Sequence, residues 1–271
     1  MKVSSPLPVK RFLGLLLIFL LPASAASLET RESQNARQAK ELWEQAIAAK
    51  GGRDQLYKVN SLLMSYTETT RNFLGIVVHR GLVERLYVFP DKLWGWDDGL
   101  PPPFQLSVGM LNIERNLRCT IYRGASNPVC GPAKQGISPP DAGLTQMQYL
   151  YLMETRWVKP VPLSVSQDSI GLKRVDLLHT SLEEQKIDYY LDRKTHLPLR
   201  VVVFYGGSDH ATLKIDLSEY VMVDGIRMPG KQKSARISFQ INPPYDEDIF
   251  TRPPSIEPGP HAWQKSVEPT P

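Results

Sequence analysis

The central part of the chain alternates apolar and polar residues with a period of two. In residues 185–192 and 213–218 every second side chain is apolar, whereas residues 199–205 between them are apolar or β-branched at nearly every position. Alternation predicts a strand with one face on an apolar interior, and a continuous apolar run predicts a strand covered on both faces. Residues 185–229 therefore predict an antiparallel meander.

Similar patterns predict strands on both sides of this meander. Gly and Pro clusters such as Pro101-Pro102-Pro103 separate these segments, as expected for turns and loops. The predicted strands cover residues 61–70, 76–89, 93–96, 104–110, 113–122, 163–182 with Gly171 within this stretch, and 236–241.

Two segments break the period of two. Residues 36–50 carry a stripe formed by Leu42, Trp43, Ala46 and Ile47, and Gly51-Gly52 follows, which predicts an amphipathic helix with a left-handed end. Residues 144–158 contain no Gly or Pro and are apolar around most of a helical circumference. Such a helix is buried on several sides or faces a cavity on one of them.

The first 25 residues have the composition of a secretory signal peptide. Lys2, Lys10 and Arg11 precede an apolar run over 12–21, and Ala23-Ser24-Ala25 fits a cleavage site. The mature chain is expected to begin near Ala26, and the protein to be exported to the periplasm. An uncleaved membrane anchor is the alternative, although the apolar run is short for a span.

The ends of the mature chain are expected to lack fixed structure. Residues 26–35 are polar and predict a flexible start, whereas residues 255–271 are rich in proline and predict a disordered tail. The folded domain is therefore expected to cover residues 36–254.

Charge excludes a nucleic-acid partner. Three of the 32 basic residues and none of the 28 acidic residues lie in the leader, which leaves 29 bases against 28 acids. A nearly neutral chain without a basic run lacks the electrostatic footprint of nucleic-acid binding.

The two cysteines predict a disulfide. An exported protein meets an oxidising environment, where Cys119 and Cys130 favour a bridge over a metal pair or a nucleophile. Two free buried thiols are the alternative.

The chain shows no sequence pattern of a catalytic or metal site. The five histidines form no paired ligand spacing, and Ser208-Asp209-His210 lies in a Gly-rich turn without a nucleophile motif. The acidic clusters at 97–98 and 246–248 lack the ligand spacing of calcium loops. We therefore expect no catalysis, no cofactor and no metal.

Several short turn motifs occur in a characteristic order along the chain. They are Ala48-Ala49-Lys50-Gly51-Gly52, Pro90-Asp91-Lys92, Tyr190-Leu191-Asp192 with Leu197-Pro198-Leu199, Val223-Asp224-Gly225-Ile226, and Ile241-Asn242. In this order they resemble the lipoprotein-localisation, or LolA-like, superfamily of exported lipid and lipoprotein carriers. His196 departs from that pattern, because the family usually has Gly there, so positive φ or a different turn is expected.

The resemblance implies an α+β fold in which a curved antiparallel sheet forms an unclosed β-barrel and helices cover its mouth. An apolar cavity between sheet and helices would suit acyl chains, because burying each CH₂ stabilises binding by about 0.8 kcal/mol. Core filling is the alternative for each residue of the candidate lining set. This predicted lining set is Trp94, Trp96, Phe104, Met147, Leu150, Tyr151, Met153 and Trp157.

Two functions follow from these expectations. The first is an exported carrier or sensor, a monomer that binds lipid acyl chains or an acylated lipoprotein and touches membranes transiently. The second is a protein-interaction module of the same fold whose interior is filled by its own side chains. A bound lipid would distinguish the first from the second.

Overall fold

The protein is built on one open antiparallel sheet. The computed structural model describes residues 21–99, 106–133, 142–205, 213–233, 235–257 and 259–264. Its thirteen strands follow the order β6-β5-β4-β3-β2-β1-β13-β12-β11-β10-β9-β8-β7. The strands are β1 Ser61–Arg71, β2 Val77–Val88, β3 Lys92–Asp97, β4 Ser107–Asn112, β5 Leu117–Tyr122, β6 Val129–Gly131, β7 Val161–Ile170, β8 Lys173–Leu182, β9 Gln185–Asp192, β10 Pro198–Phe204, β11 Leu213–Val223, β12 Ile226–Gln232 and β13 Ala235–Ile241.

The predicted fold class is confirmed. Strands β6 and β7 are the two ends of the sheet and do not pair with each other, so the described part of the sheet does not close into a barrel. Helices α1 (Leu21–Lys50), α2 (Arg53–Leu56) and α3 (Ala142–Met147) accompany it. No helix in the described ranges combines the length and the apolar content that crossing a membrane requires.

Helix α1 begins earlier than the sequence predicts. It starts at Leu21, so residues 26–35, expected to be flexible, are helical. Most of the predicted leader, residues 1–20, lies outside the described residues, and cleavage near Ala25 stays a prediction.

The apolar stripe of α1 packs on the sheet. Trp43, Ala46 and Ile47 are buried in the larger of the two apolar clusters, which also takes in side chains from β8 to β13. The helix ends at Gly51, which has φ 132° and lies so close to the β11–β12 turn that a Cβ would fall 2.3 Å from the Gly225 carbonyl oxygen. Only glycine fits there.

The second predicted helix is shorter than expected. Helix α3 continues into a π-helical turn, Gln148–Leu152, and stops at Met153, which has φ 69°. Thr155 explains the stop, because its hydroxyl donates to Gln148 Oε1 at 2.6 Å and accepts from the Val158 amide at 3.1 Å. These local hydrogen bonds compete with helical ones, so Trp157 lies beyond the helix.

The segment after this turn is fixed by a buried carboxylate. Glu154 accepts hydrogen bonds from Trp43 Nε1 at 3.0 Å, from Arg53 Nε at 2.8 Å and from the Tyr57 hydroxyl. Burial alone would raise the pKa of Glu154, but the hydrogen bonds from Arg53, Tyr57 and Trp43 outweigh it and lower the pKa. The carboxylate therefore joins α1, α2 and the segment after α3.

The turns of the meander follow their sequence signals. Asp192 Oδ1 accepts from the amides of Lys194 at 2.8 Å and Thr195 at 2.9 Å. His196 has φ 56°, so a non-glycine residue does take the left-handed position. The glycine-rich turn at 206–209 lies outside the described residues, as does His210.

The predicted disulfide is present. Cys119 on β5 and Cys130 on β6 are opposite each other in the strand register and form a bridge with a sequence separation of 11. Closing a loop of this size stabilises the fold by about 3 kcal/mol in the chain-entropy model.

The C-terminal segment corrects the expectation of a disordered tail. Ile249, Phe250 and Trp263 are buried in a second apolar cluster with residues of β1 to β5. Trp263 Nε1 donates to Glu84 Oε2 at 3.0 Å, and the same oxygen contacts His261 Nδ1 at 3.1 Å. The burial of these apolar side chains stabilises the packed segment, although its proline-rich composition is typical of a disordered chain. Residues 265–271 lie outside the described residues, and the domain limits 36–254 stay a prediction.

We expect Trp263→Ala to destabilise the protein by about 3 kcal/mol, because it removes a buried indole and its hydrogen bond to Glu84. Urea unfolding followed by circular dichroism measures this change. The exposed neighbour Gln264 provides the control, and Gln264→Ala should leave the midpoint unchanged. Equal midpoints for Trp263→Ala and the wild type would show that the segment contributes no stability.

Candidate functional site

The sheet is split where β12 meets β13. These strands pair only through Lys231 with Arg236 and Gln232 with Ala235, directly beside their connecting turn. Strand β12 pairs along its length with β11 on one side, and β13 pairs with β1 on the other. The two halves of the sheet are thus separate beyond the turn and leave an opening between them.

This opening is a cleft of about 580 Å³. Its walls come from β1, β2 and β13 on one side and from β11 and β12 on the other. Apolar side chains alternate with hydroxyl groups and two charged side chains. The lining residues are Ser65, Tyr66, Thr67, Leu82, Glu219, Val221, Val223, Gly230, Arg236, Ile237, Ser238 and Phe239.

The floor of the cleft is apolar and rests on the main core. Ile237 and Phe239 are buried, and the Phe239 ring lies 5.2 Å from the ring of Tyr151. Tyr151 is held in place by a hydrogen bond from its hydroxyl to Gln232 Oε1 at 2.6 Å. Above this floor Val221 is 49% exposed, so an apolar ligand could cover it without moving the core.

A bulge in β11 shapes one wall. Glu219 has φ 54° and stands between two register pairs, Ser218 with Lys231 and Tyr220 with Pro229. Gly230 faces this bulge so closely that a Cβ would fall 2.6 Å from the Glu219 carbonyl oxygen. The Glu219 carboxylate pairs with Lys231 Nζ at 3.1 Å and supplies a polar rim.

A buried lysine lies behind the same strand. Lys50, at the end of α1, is 1% exposed, donates to the Arg227 carbonyl oxygen and lies 5.3 Å from the centre of the Tyr220 ring. Burial lowers the pKa of Lys50 to about 7. Among the described residues no carboxylate forms an ion pair with Lys50, so its ammonium loses the stabilisation that water would give it.

The structure divides the predicted lining set. Trp94 and Trp96 belong to the second cluster, under the C-terminal segment, because the alternation of β3 points them to the sheet face opposite α1. Phe104 lies outside the described residues. The other five, Met147, Leu150, Tyr151, Met153 and Trp157, lie together in or against the main cluster.

None of the seven described residues of this set lines the cleft, and the cavity lining as a set stays untested. Tyr151 comes closest, through its contact with Phe239. Sequence reasoning missed the strand residues of the cleft because their alternation is that of any half-buried strand. The short pairing between β12 and β13 has no sequence signal. Within the described residues no group of three His, Cys, Asp or Glu side chains could hold a metal ion.

The sequence matches no protein-family model and no curated protein significantly. A LolA superfamily protein from Nitrosomonas europaea superposes with a TM-score of 0.45 at 11% identity, over 79% of this chain and 97% of that chain. The chain is similar to LolA superfamily structures.

Two further solved structures are similar to it. One is a DUF1329 family protein from Desulfovibrio piger, with a TM-score of 0.44, 11% identity and coverage of 78% of this chain and 96% of that chain. The other, from Vibrio parahaemolyticus, is named as a candidate outer membrane lipoprotein-sorting protein domain, with a TM-score of 0.40, 12% identity and coverage of 80% and 97%. Similarity at this level assigns no ligand.

We expect the stability of the protein to rise between pH 7 and about 10 through Lys50. The folded state releases this proton near pH 7, whereas the unfolded state keeps it up to about pH 10.4. Between these values the unfolded state binds more protons, so raising the pH favours the folded state. Lys50→Met should be more stable than the wild type at pH 7 and should lose this rise.

Chemical unfolding at a series of pH values from 7 to 10 measures the effect. Lys40 is exposed on the same helix, and Lys40→Met serves as the matched control. Parallel curves for the wild type and Lys50→Met would contradict the prediction.

Proposed function

We propose that the protein is an exported carrier or sensor that binds a lipid acyl chain, free or attached to a lipoprotein, in the cleft between β12 and β13. The observation that supports this most is the apolar floor formed by Ile237 and Phe239 beneath the partly exposed Val221 and Val223. Periplasmic localisation, with the leader removed near Ala25, and a monomeric state belong to the same proposal.

The size of the cleft fits part of a chain. Its 580 Å³ lies within the range of about 300–1,000 Å³ usual for small-molecule sites. Six buried methylenes contribute about 5 kcal/mol, which is comparable to the cost of at least about 4 kcal/mol for association. A ligand therefore needs most of its chain enclosed, and Arg236 and Glu219 at the rim leave polar partners for a headgroup.

A carrier of this kind must contact a membrane. The tip of the β1–β2 hairpin has exposed apolar side chains that suit such a contact. At its tip Phe73 is 95% exposed, Leu74 67% and Ile76 58%. Arg71 and Arg80 flank the tip on the two strands. Exposed apolar side chains beside cations suit the interface of an anionic membrane.

Part of the backbone of this tip is hydrogen-bonded within the hairpin. Asn72 Oδ1 accepts from the amides of Leu74 and Ile76, both at 3.0 Å, and Arg71 Nη1 donates to the Gly75 carbonyl oxygen at 2.7 Å. These polar groups are paired while the apolar side chains project. Their pairing lowers the cost of bringing the tip into the interface. Tyr66 and Leu82, on the same hairpin, line the cleft.

The second candidate is an interaction module without a lipid ligand. It is favoured by the helical lid, where Met147, Leu150, Tyr151 and Met153 are at most 7% exposed and fill the interior that they were expected to line as a cavity. In this alternative the cleft would hold a partner's side chain in place of an acyl chain.

We expect Val221→Asp to weaken binding of a fluorescent long-chain fatty acid by at least about tenfold, because the carboxylate would be buried under the chain. Met222 is the matched control, since it is the next residue of the same strand, is 58% exposed and does not line the cleft. Met222→Asp should bind as the wild type does. Titration of the fatty acid followed by fluorescence gives both affinities.

The two candidates separate in this experiment. Saturable binding that Val221→Asp weakens and Met222→Asp does not supports the carrier. Absence of binding by the wild type, or equal loss in both variants, contradicts acyl-chain binding in the cleft.

We expect Phe73→Ser combined with Leu74→Ser to reduce binding to vesicles of phosphatidylethanolamine and phosphatidylglycerol at least tenfold, because two large apolar side chains leave the interface. Leu172, fully exposed at the β7–β8 turn, is the control, and Leu172→Ser should co-sediment as the wild type does. Unchanged co-sedimentation of the double variant would refute the contact through this tip.

A further inference from the structure

Three side chains on the exposed face of β7 to β9 form a line. Ser166 Oγ lies 3.2 Å from His179 Nε2, and His179 Nδ1 lies 2.8 Å from Asp188 Oδ1. A carboxylate only accepts hydrogen bonds, so Nδ1 carries the hydrogen and donates it to Asp188. In the neutral ring Nε2 is then the acceptor for the Ser166 hydroxyl.

Strand register brings the three together. His179 and Asp188 are opposite each other across β8 and β9, and Ser164, two residues before Ser166, is opposite His179 across β7 and β8. The residues are 13 and 9 positions apart in sequence, a spacing that matches no motif. The sequence alone could not reveal this pair, because only the paired strands bring Ser166 and His179 together.

Accessibility decreases along the line in the order that catalysis requires. Ser166 is exposed, the His179 side chain is 35% exposed, and that of Asp188 is 15% exposed. On its other side Asp188 is opposite the buried Val202 of β10. The carboxylate is thus held between an apolar neighbour and the imidazole, which fixes the orientation of the ring.

The electrostatic setting favours a base. The hydrogen bond to Asp188 raises the pKa of His179, and partial burial opposes it. Asp168 on β7, Lys186 on β9 and Lys214 on β11 lie on the same face, and Glu41 of α1 lies across the sheet edge. The charged group that contacts the ring is Asp188.

The edge position of β7 supplies an amide. In an antiparallel edge strand every second amide points away from the sheet. The Val165 amide does so, since it donates to Asn35 Oδ1 at 2.7 Å. Gln167, two residues on, has the same orientation, so its amide lies at the open edge directly after Ser166. The amide after the nucleophile is an oxyanion donor in α/β-hydrolases.

A pocket of about 360 Å³ opens between β7 and α1. Its lining residues are Gln38, Glu41, Leu42, Gln45, Val165, Ser166, Gln167 and Asp176. Strand register places Val165 and Gln167 on the face toward α1, whereas the Ser166 side chain shares the other face with His179. The substrate of Ser166 therefore approaches from the open face of the sheet and not through this pocket.

We propose that Ser166, His179 and Asp188 form an acyl-transfer site on the open face of the sheet that hydrolyses small carboxylic esters. The site is remote in sequence from the cleft residues and does not depend on acyl-chain binding there. Its failure and that of the proposed carrier function are therefore separate results.

The reaction balances with water as the co-reactant. Ser166 Oγ attacks the ester carbonyl carbon while its proton passes to His179 Nε2, and the Gln167 amide faces the resulting oxyanion. The bond to the alcohol oxygen breaks, and the alcohol leaves with the proton from Nε2. Water then attacks the acyl-serine, gives its proton to Nε2, and the acid departs as the proton returns to Oγ.

The test uses the full mature chain with a fluorophosphonate probe and 4-nitrophenyl acetate. We expect the probe to label Ser166, as mapped by peptide mass spectrometry, and ester hydrolysis to saturate with substrate. Ser166→Ala should abolish labelling, and both Ser166→Ala and His179→Ala should lower kcat/KM at least a hundredfold.

Ser164→Ala is the matched control, because Ser164 is on the same strand and points to the same face. It should retain labelling and hydrolysis. Circular dichroism and thermal unfolding show whether each variant is folded, and a third variant, Asp188→Asn, gives a separate readout. In it the inflection of the pH–rate profile should move to lower pH, since the carboxylate that raises the pKa of His179 is gone.

Each outcome of this test either supports the site or overturns it. Label on Ser166 with loss of hydrolysis in folded Ser166→Ala establishes the site. A wild-type protein that is not labelled, a label on another residue, or hydrolysis that persists in folded Ser166→Ala overturns it.

Discussion

The position of the helices depends on one buried carboxylate. Glu154 binds Trp43 of α1, Arg53 of α2 and Tyr57, so three segments that are distant in sequence meet at a single charge. Removing a partner from such a group leaves a buried charge unpaired, which costs several kcal/mol. The π-helical turn must end before this residue, and α1 must present its indole to it. The main core and the floor of the cleft pack beside the segments that Glu154 holds together.

The sheet is wide enough to need cover on both faces. Helix α1 and the π-helical turn cover one face, and the C-terminal segment covers β1 to β5 on the other. The cleft lies at the split between β12 and β13. The line of Ser166, His179 and Asp188 lies farther along, on the solvent-facing side of β7 to β9. Binding and acyl transfer would therefore occupy different parts of one sheet.

Most of the architecture could be predicted from the chain because strand periodicity and turn residues act locally. The residues from Asp192 to His196 indicated a hairpin turn. Cys119 and Cys130 predicted a disulfide, which is present between two paired strands. The sites could not be predicted, because they depend on register and burial. Trp263 lies in a proline-rich segment typical of a disordered tail, yet its side chain is buried. Ser166 contacts His179 only because their two strands pair.

The disulfide has a consequence for self-association. An open sheet presents two edges to other molecules, and an exposed edge is a template for intermolecular strand addition. At one edge β6 has only three residues, and the bridge to Cys119 keeps it paired with β5. In a reducing environment this short strand would be held by three register pairs alone. Its loss would expose the six-residue β5 as a new edge, so the bridge keeps this end of the sheet paired.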